Sequence, residues 1–176
     1  MEINYIDVES YPGSEKIYIS GSMYPIKVGM RKINLTPTVT FDKDNNKILT
    51  ENSPIYVYDT SGVFTDKDVK VDINKGVPRV REQWILDRGD VEQLDNITSE
   101  YGRQRLNDKS LDAIRFPHQI KPYKAKKGKN ITQMAYAKAG IVTAEMEYVA
   151  IRENMNNKEL GIASHITPEF VRSEIA

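Results

Sequence analysis

Cysteine is missing from all 176 residues, and that absence excludes disulfides, thiolate nucleophiles, Cys-type zinc sites and thiolate-held iron–sulfur clusters within these residues. Histidine is nearly missing too: only His118 and His165 occur. They are separated by 46 intervening residues with no His-x-x-x-His or EF-hand spacing around them, so no metal site is expected and both are read as loop residues. An excess of either charge is likewise lacking, with 25 basic against 25 acidic side chains. No global field therefore draws the chain to nucleic acid or an anionic membrane. No apolar run approaches the roughly 18 residues of a membrane span, and the start Met1-Glu2-Ile3-Asn4 has an acid where a secretory leader needs a basic residue. These features point to a cytoplasmic protein without membrane or nucleic-acid partners.

What is present falls into two styles. Up to Ile73, Tyr, Ile, Val and Thr are broken at short intervals by Gly, Pro and Asn, the composition of strands and turns. Strands are predicted near Lys16 to Ser20, Ile26 to Leu35, Thr38 to Phe41, Pro54 to Tyr58 and Val69 to Ile73. The apolar parity changes after Met30, which predicts a bulge at Gly29. The polar run Asp42 to Lys47 reads as a hairpin tip.

Helical signals follow. Val77, Val80 and Trp84 share a helical face that ends at Gly89. Ser99, Ser110, Thr132, Thr143 and Thr167 are candidate N-caps, the last followed by Pro168 at the first helical position. Between these segments, Lys121 to Lys129 has no periodicity and reads as a solvated linker, although its five lysines and Tyr123 could in principle meet phosphates and bases. In the helix after Thr143, Ala144, Tyr148, Ile151 and Met155 form one apolar stripe and Met146, Val149 and Ala150 a second, so two covering layers are expected. Glu153 falls within the second stripe and is predicted to be a buried, paired carboxylate. If the layer beyond is missing, one stripe should face water unless a second copy of the chain covers it, and the short helix from Pro168 should fray unless it docks on a neighbour.

Two short strings invite functional readings. Val57-Tyr58-Asp59-Thr60-Ser61-Gly62 is similar to the Asp-Thr-Gly loop of aspartic proteases, but Ser61 stands where that loop needs glycine and no second copy supplies the paired carboxylate. An Asx or Ser/Thr turn closing a strand is the reading that remains. Arg88-Gly89-Asp90 spells an adhesion tripeptide, which a helix terminus at Gly89 accounts for without adhesion.

Longer strings carry more. Val57 to Gly62, Arg81-Glu82-Gln83-Trp84-Ile85 with Arg88-Gly89-Asp90, and Ser99-Glu100-Tyr101-Gly102-Arg103 resemble the amino-terminal associated domain of the phosphomethylpyrimidine synthase (ThiC) family of thiamine biosynthesis. Gly128 to Met134, Glu145 to Asn154 and Ile166 to Arg172 resemble that family's entry into its barrel. The resemblance runs from about Tyr11 onward. Departures are Val63 and Lys67 where many members carry proline, Ala135 where many carry histidine, and Ala144 where many carry proline.

The resemblance implies a fold and a role. The expected architecture is α+β, a largely antiparallel sheet with covering helices, followed by a linker and the first helices of a (β/α)8 barrel domain that is absent. The division is 1–122 for the associated domain, 123–129 for the Lys-rich linker and 130–176 for the truncated barrel start. The parent would be a homodimeric radical S-adenosylmethionine lyase that converts aminoimidazole ribotide to hydroxymethylpyrimidine phosphate with a 4Fe–4S cluster. This piece would be scaffold and subunit contact, its partners the remainder of the parent enzyme and a second copy. No catalytic, cofactor-binding or metal residue is assigned within it, and alone it should be inactive. The competing reading is a freestanding, non-catalytic interaction module.

Overall fold

A computed structural model of the chain describes residues 12–72, 74–116, 120–155, 157, 161–162 and 165–176. It has mixed α+β architecture with antiparallel pairings throughout. The strands are β1 (Ser14–Ser20), β2 (Lys27–Ile33), β3 (Thr38–Phe41), β4 (Lys47–Thr50), β5 (Ile55–Tyr58), β6 (Val91–Gln93) and β7 (Tyr123–Ala125). The helices are α1 (Glu82–Asp87), α2 (Glu100–Asn107), α3 (Gln133–Lys138), α4 (Ala144–Glu153) and α5 (Pro168–Ile175). Contacts divide the chain into two compact units: the described residues of Met1–Val69 with those of Tyr136–Ala176, and Lys70–Ala135.

In the first unit the sheet order is β1-β2-β5. Its β1–β2 register is unbroken from Ser14 opposite Ile33 to Ser20 opposite Lys27, so Gly29 is a regular ladder position opposite Tyr18 and the predicted bulge does not form. The change of apolar parity has another cause. Val28 and Met30 are fully buried on one sheet face, while Ile33 belongs to the opposite face with Arg31. A hairpin, β3–β4, is inserted between β2 and β5, and Asp42 accepts from the Asp44 and Asn46 amides at its tip. Val69 and Val71 build no strand; the segment contributes an isolated bridge between Asp72 and Gly76, and Ile73 lies outside the described residues.

Helix α4 lies between two layers, as its paired stripes predict. Met146 and Ala150 are buried with Ala137 and Val171, and Val142, Val149, Ile166 and Ile175 pack around them. On the other side α4 meets β2, and the Tyr148 and Tyr58 rings pack edge to face with their hydroxyls 2.8 Å apart. Neither stripe is left to water. That corrects the expectation of an uncovered stripe: the N-terminal sheet supplies one layer and α3 with α5 the other. Helix α5 is capped by Thr167, which accepts from Phe170 N–H at 3.0 Å, and Arg172 reaches the Ala137 carbonyl at 2.8 Å. Docking thus supplies what a two-turn helix lacks in water.

The second unit is built locally. Val91–Gln93 pairs with Tyr123–Ala125, so composition read as linker is in part a strand. Ser99 caps α2 through Gly102 N–H, whereas Ser110 is not a cap; Asp108 is, accepting from Ser110 N–H at 2.9 Å. Val77 and Val80 precede α1 and are exposed, so the face they were expected to share with Trp84 does not form. Among the described residues no helix is long and apolar enough to cross a membrane.

Candidate functional site

Period-two geometry and the strand register bring Lys16 of β1, Arg31 of β2 and Asp59, just past β5, onto one face of the first unit's sheet. Lys16 is directly opposite Arg31. Asp59 N–H donates to the Gly29 carbonyl at 3.1 Å, which prolongs the ladder by one residue and aims its carboxylate at the two cations. Lys16 Nζ stands 3.3 Å and Arg31 Nη2 3.2 Å from Asp59 Oδ2, with 9%, 14% and 3% of the respective side chains exposed.

The other carboxylate oxygen closes the turn. Asp59 Oδ1 accepts from Ser61 N–H at 2.9 Å and from the Ser61 hydroxyl. Gly62 then takes φ of 58°, a left-handed conformation that favours glycine, and a 3-10 turn runs over Gly62–Thr65. Arg31 Nη2 also donates to Thr65 Oγ1 at 3.0 Å, Lys16 Nζ to the Gly62 carbonyl, and Tyr18 OH to Asp66. Burial opposes the charge on Asp59, but the Ser61 hydrogen bonds and the Lys16 charge hold its carboxyl below the usual carboxylate range. Burial, then the bond to Asp66, pushes the Tyr18 phenol up.

Beside this cluster is an open groove of about 660 Å³, whose walls include Ser14, Arg31, Ile33, Val57, Asp59 and Thr60. The chemistry of Asp59 is that of a staple. Both its oxygens are occupied and its neighbours are cations, so it lacks the shared proton of a protease dyad. The turn closing a strand is the reading the geometry supports.

A second buried carboxylate was missed from the sequence. Glu147 on α4 is 1% exposed and accepts from Ser22 N–H at 2.6 Å, Ser22 Oγ at 3.0 Å, Met23 N–H at 2.8 Å and Tyr24 N–H at 2.9 Å. It satisfies the donors of the loop joining β1 to β2. A Cβ on Gly21 would come 2.5 Å from the Tyr24 carbonyl and 2.8 Å from Glu147 Oε2, so only glycine fits there.

Other sequence candidates disperse. Glu153, predicted to be buried, has 46% of its side chain exposed and pairs with its neighbour Arg152 at 2.7 Å. The stripe rule placed it inward, but at the last position of α4 the layers no longer cover it. Glu153→Gln is accordingly expected to change unfolding free energy by less than about 0.5 kcal/mol; a loss above about 1.5 kcal/mol in urea titration would contradict this placement. Three linker lysines have partners: Lys124 meets Glu92 at 2.9 Å, Lys121 meets Asp95 at 3.8 Å, and Lys126 donates to the Gly89 carbonyl at 2.6 Å. Asp90 is buried and Gly89, with φ of 68°, follows α1. His165 is exposed, and His118 lies outside the described residues. No group of three or more His, Asp or Glu suited to a metal ion occurs among the described residues.

Residues 10–92 match the family model of the ThiC-associated domain. The chain carries a ThiC-associated domain. The matched stretch holds β1 to β5, the Lys16–Arg31–Asp59 cluster and the Gly89 helix terminus, and it links the chain to thiamine biosynthesis. Glu147 lies beyond it, on a helix that packs against the domain's β2.

Proposed function

We propose that the chain is the amino-terminal part of a phosphomethylpyrimidine synthase, the radical S-adenosylmethionine lyase that makes hydroxymethylpyrimidine phosphate from aminoimidazole ribotide in the cytoplasm. The match of residues 10–92 to the ThiC-associated domain carries this reading, and the family-like strings from Gly128 to Arg172 extend it beyond the matched stretch. Within that enzyme the piece is scaffold and subunit contact. Two of the buried carboxylates among the described residues are consumed by structure: Asp59 by cations and a turn, Glu147 by loop amides. Each is tied to several donors at once, the arrangement of a structural anchor rather than of a group that exchanges a proton.

A 4Fe–4S cluster does not fit these residues, because thiolates hold such clusters and the chain has no cysteine. In the proposed enzyme the cluster is therefore held by residues outside this chain. Genetic disruption tests the assignment. A strain whose gene for this chain is interrupted should require thiamine, and hydroxymethylpyrimidine should restore growth where the thiazole half alone does not. Undiminished growth without either supplement would overturn the assignment.

A further inference from the structure

Among the described residues, β3 and β4 pack chiefly on each other. All eight strand residues are exposed, and Val39, Phe41, Ile48 and Leu49 stand among them, Phe41 at 62%. A two-stranded ribbon with both faces in water is marginally stable at best. Within the ribbon Val39 is opposite Leu49 and Phe41 opposite Lys47, so these four share one face. Asp42 N–H bonds the Asn46 carbonyl, and by the antiparallel alternation the backbone groups of Val39 and Phe41 point away from β4.

The two edges differ in protection. Lys47 on β4 carries the kind of charge that discourages strand pairing, whereas Thr38-Val39-Thr40-Phe41 of β3 has no charge and no proline. We propose that β3 pairs with β3 of a second copy of this chain, antiparallel about a two-fold axis at Thr40, giving a four-stranded sheet in the order β4-β3-β3-β4. This deepens the subunit-contact role proposed above.

Register and chemistry select this occupant. With Val39 opposite the partner copy's Phe41, each edge satisfies the other's outward amides and carbonyls, and Leu49, Val39 and Phe41 of both copies join into one apolar face. No like charges are opposed. Shifting the pairing one way puts Pro37, which lacks an N–H, opposite Phe41; shifting it the other way puts Lys43 of the turn opposite Val39. The match is self-complementary, the property a two-fold interface needs.

The absence of cysteine makes the test clean. Thr40 would face its own copy at a non-hydrogen-bonded pair, where Cα atoms lie about 4.5 Å apart, within disulfide reach. Thr50 on β4 would be separated from its copy by two further strands. In the 176-residue chain under mild oxidation, Thr40→Cys should form covalent dimer at least about tenfold faster than Thr50→Cys. Adding Phe41→Lys to Thr40→Cys should reduce the rate to that of Thr50→Cys, with circular dichroism unchanged because residue 41 is exposed. Equal rates for the two cysteine variants, or a rate indifferent to Phe41→Lys, would overturn the pairing. Neither outcome bears on the thiamine requirement, so the two proposals fail separately.

Discussion

Glu147→Ala should lower the stability of the first unit by about 3–5 kcal/mol, because it removes the acceptor for three loop amides and a hydroxyl at once. Each buried donor left without a partner costs about 1–3 kcal/mol, and partial hydration of the vacated site offsets part of the sum. Glu147→Gln should cost less, since one amide oxygen still accepts while its NH2 opposes a donor. The chain's one tryptophan, Trp84, belongs to the other unit, so near-ultraviolet circular dichroism of the tyrosines is the appropriate signal in urea. The pH dependence is also determined. Burial pushes the Glu147 carboxyl up, but the Met23, Ser22 and Tyr24 amides outweigh it and the net shift is downward. A lowered folded pKa contributes stability that is complete above the unfolded value of about 4.3 and is lost as pH falls through the folded one. Glu147→Gln should therefore flatten part of the acid limb of the stability profile. A loss under about 1 kcal/mol for the alanine variant, or an acid limb unchanged by glutamine, would refute the role of this carboxylate.

Local interactions were legible in the sequence, and register-dependent ones were not. Thr143 and Thr167 cap α4 and α5 because a hydroxyl three residues before an amide finds it whatever the rest of the chain does. The Asp42 to Lys47 tip is equally local. Gly29 misled because parity marks one face only where the other is polar, and this sheet carries apolar side chains on both. The two α4 glutamates show the limit most clearly. Glu147 and Glu153 both lie among apolar positions, and helical periodicity cannot separate them. What does so is the loop at Ser22 to Tyr24, more than 120 residues earlier in the chain, whose amides converge on Glu147 alone. The Lys16–Arg31–Asp59 cluster has the same origin: each residue type was visible, and their meeting needed the β1-β2-β5 order.

Asp59→Ala is the second large change expected, again about 3–5 kcal/mol, for a different reason. The carboxylate offsets two cations whose side chains are 91% and 86% buried, so removing it leaves Lys16 and Arg31 desolvated without a counter-charge. It also deprives the Ser61 amide and hydroxyl of their acceptor and so loosens the turn that leads into Gly62–Thr65. Asp59→Asn keeps the shape and one acceptor but not the charge, and should fall between the wild type and alanine. The diagnostic is a compensating replacement. If the damage is uncompensated charge, the triple variant Lys16→Met, Arg31→Met, Asp59→Leu should recover at least half of the stability that Asp59→Ala loses, because a buried ion cluster exchanged for apolar groups of similar volume is often neutral or better. Equilibrium urea unfolding of the three proteins decides it. A triple variant no more stable than Asp59→Ala would show that the turn hydrogen bonds, not the cations, set the cost, and a single variant within about 1 kcal/mol of wild type would show that the staple holds nothing.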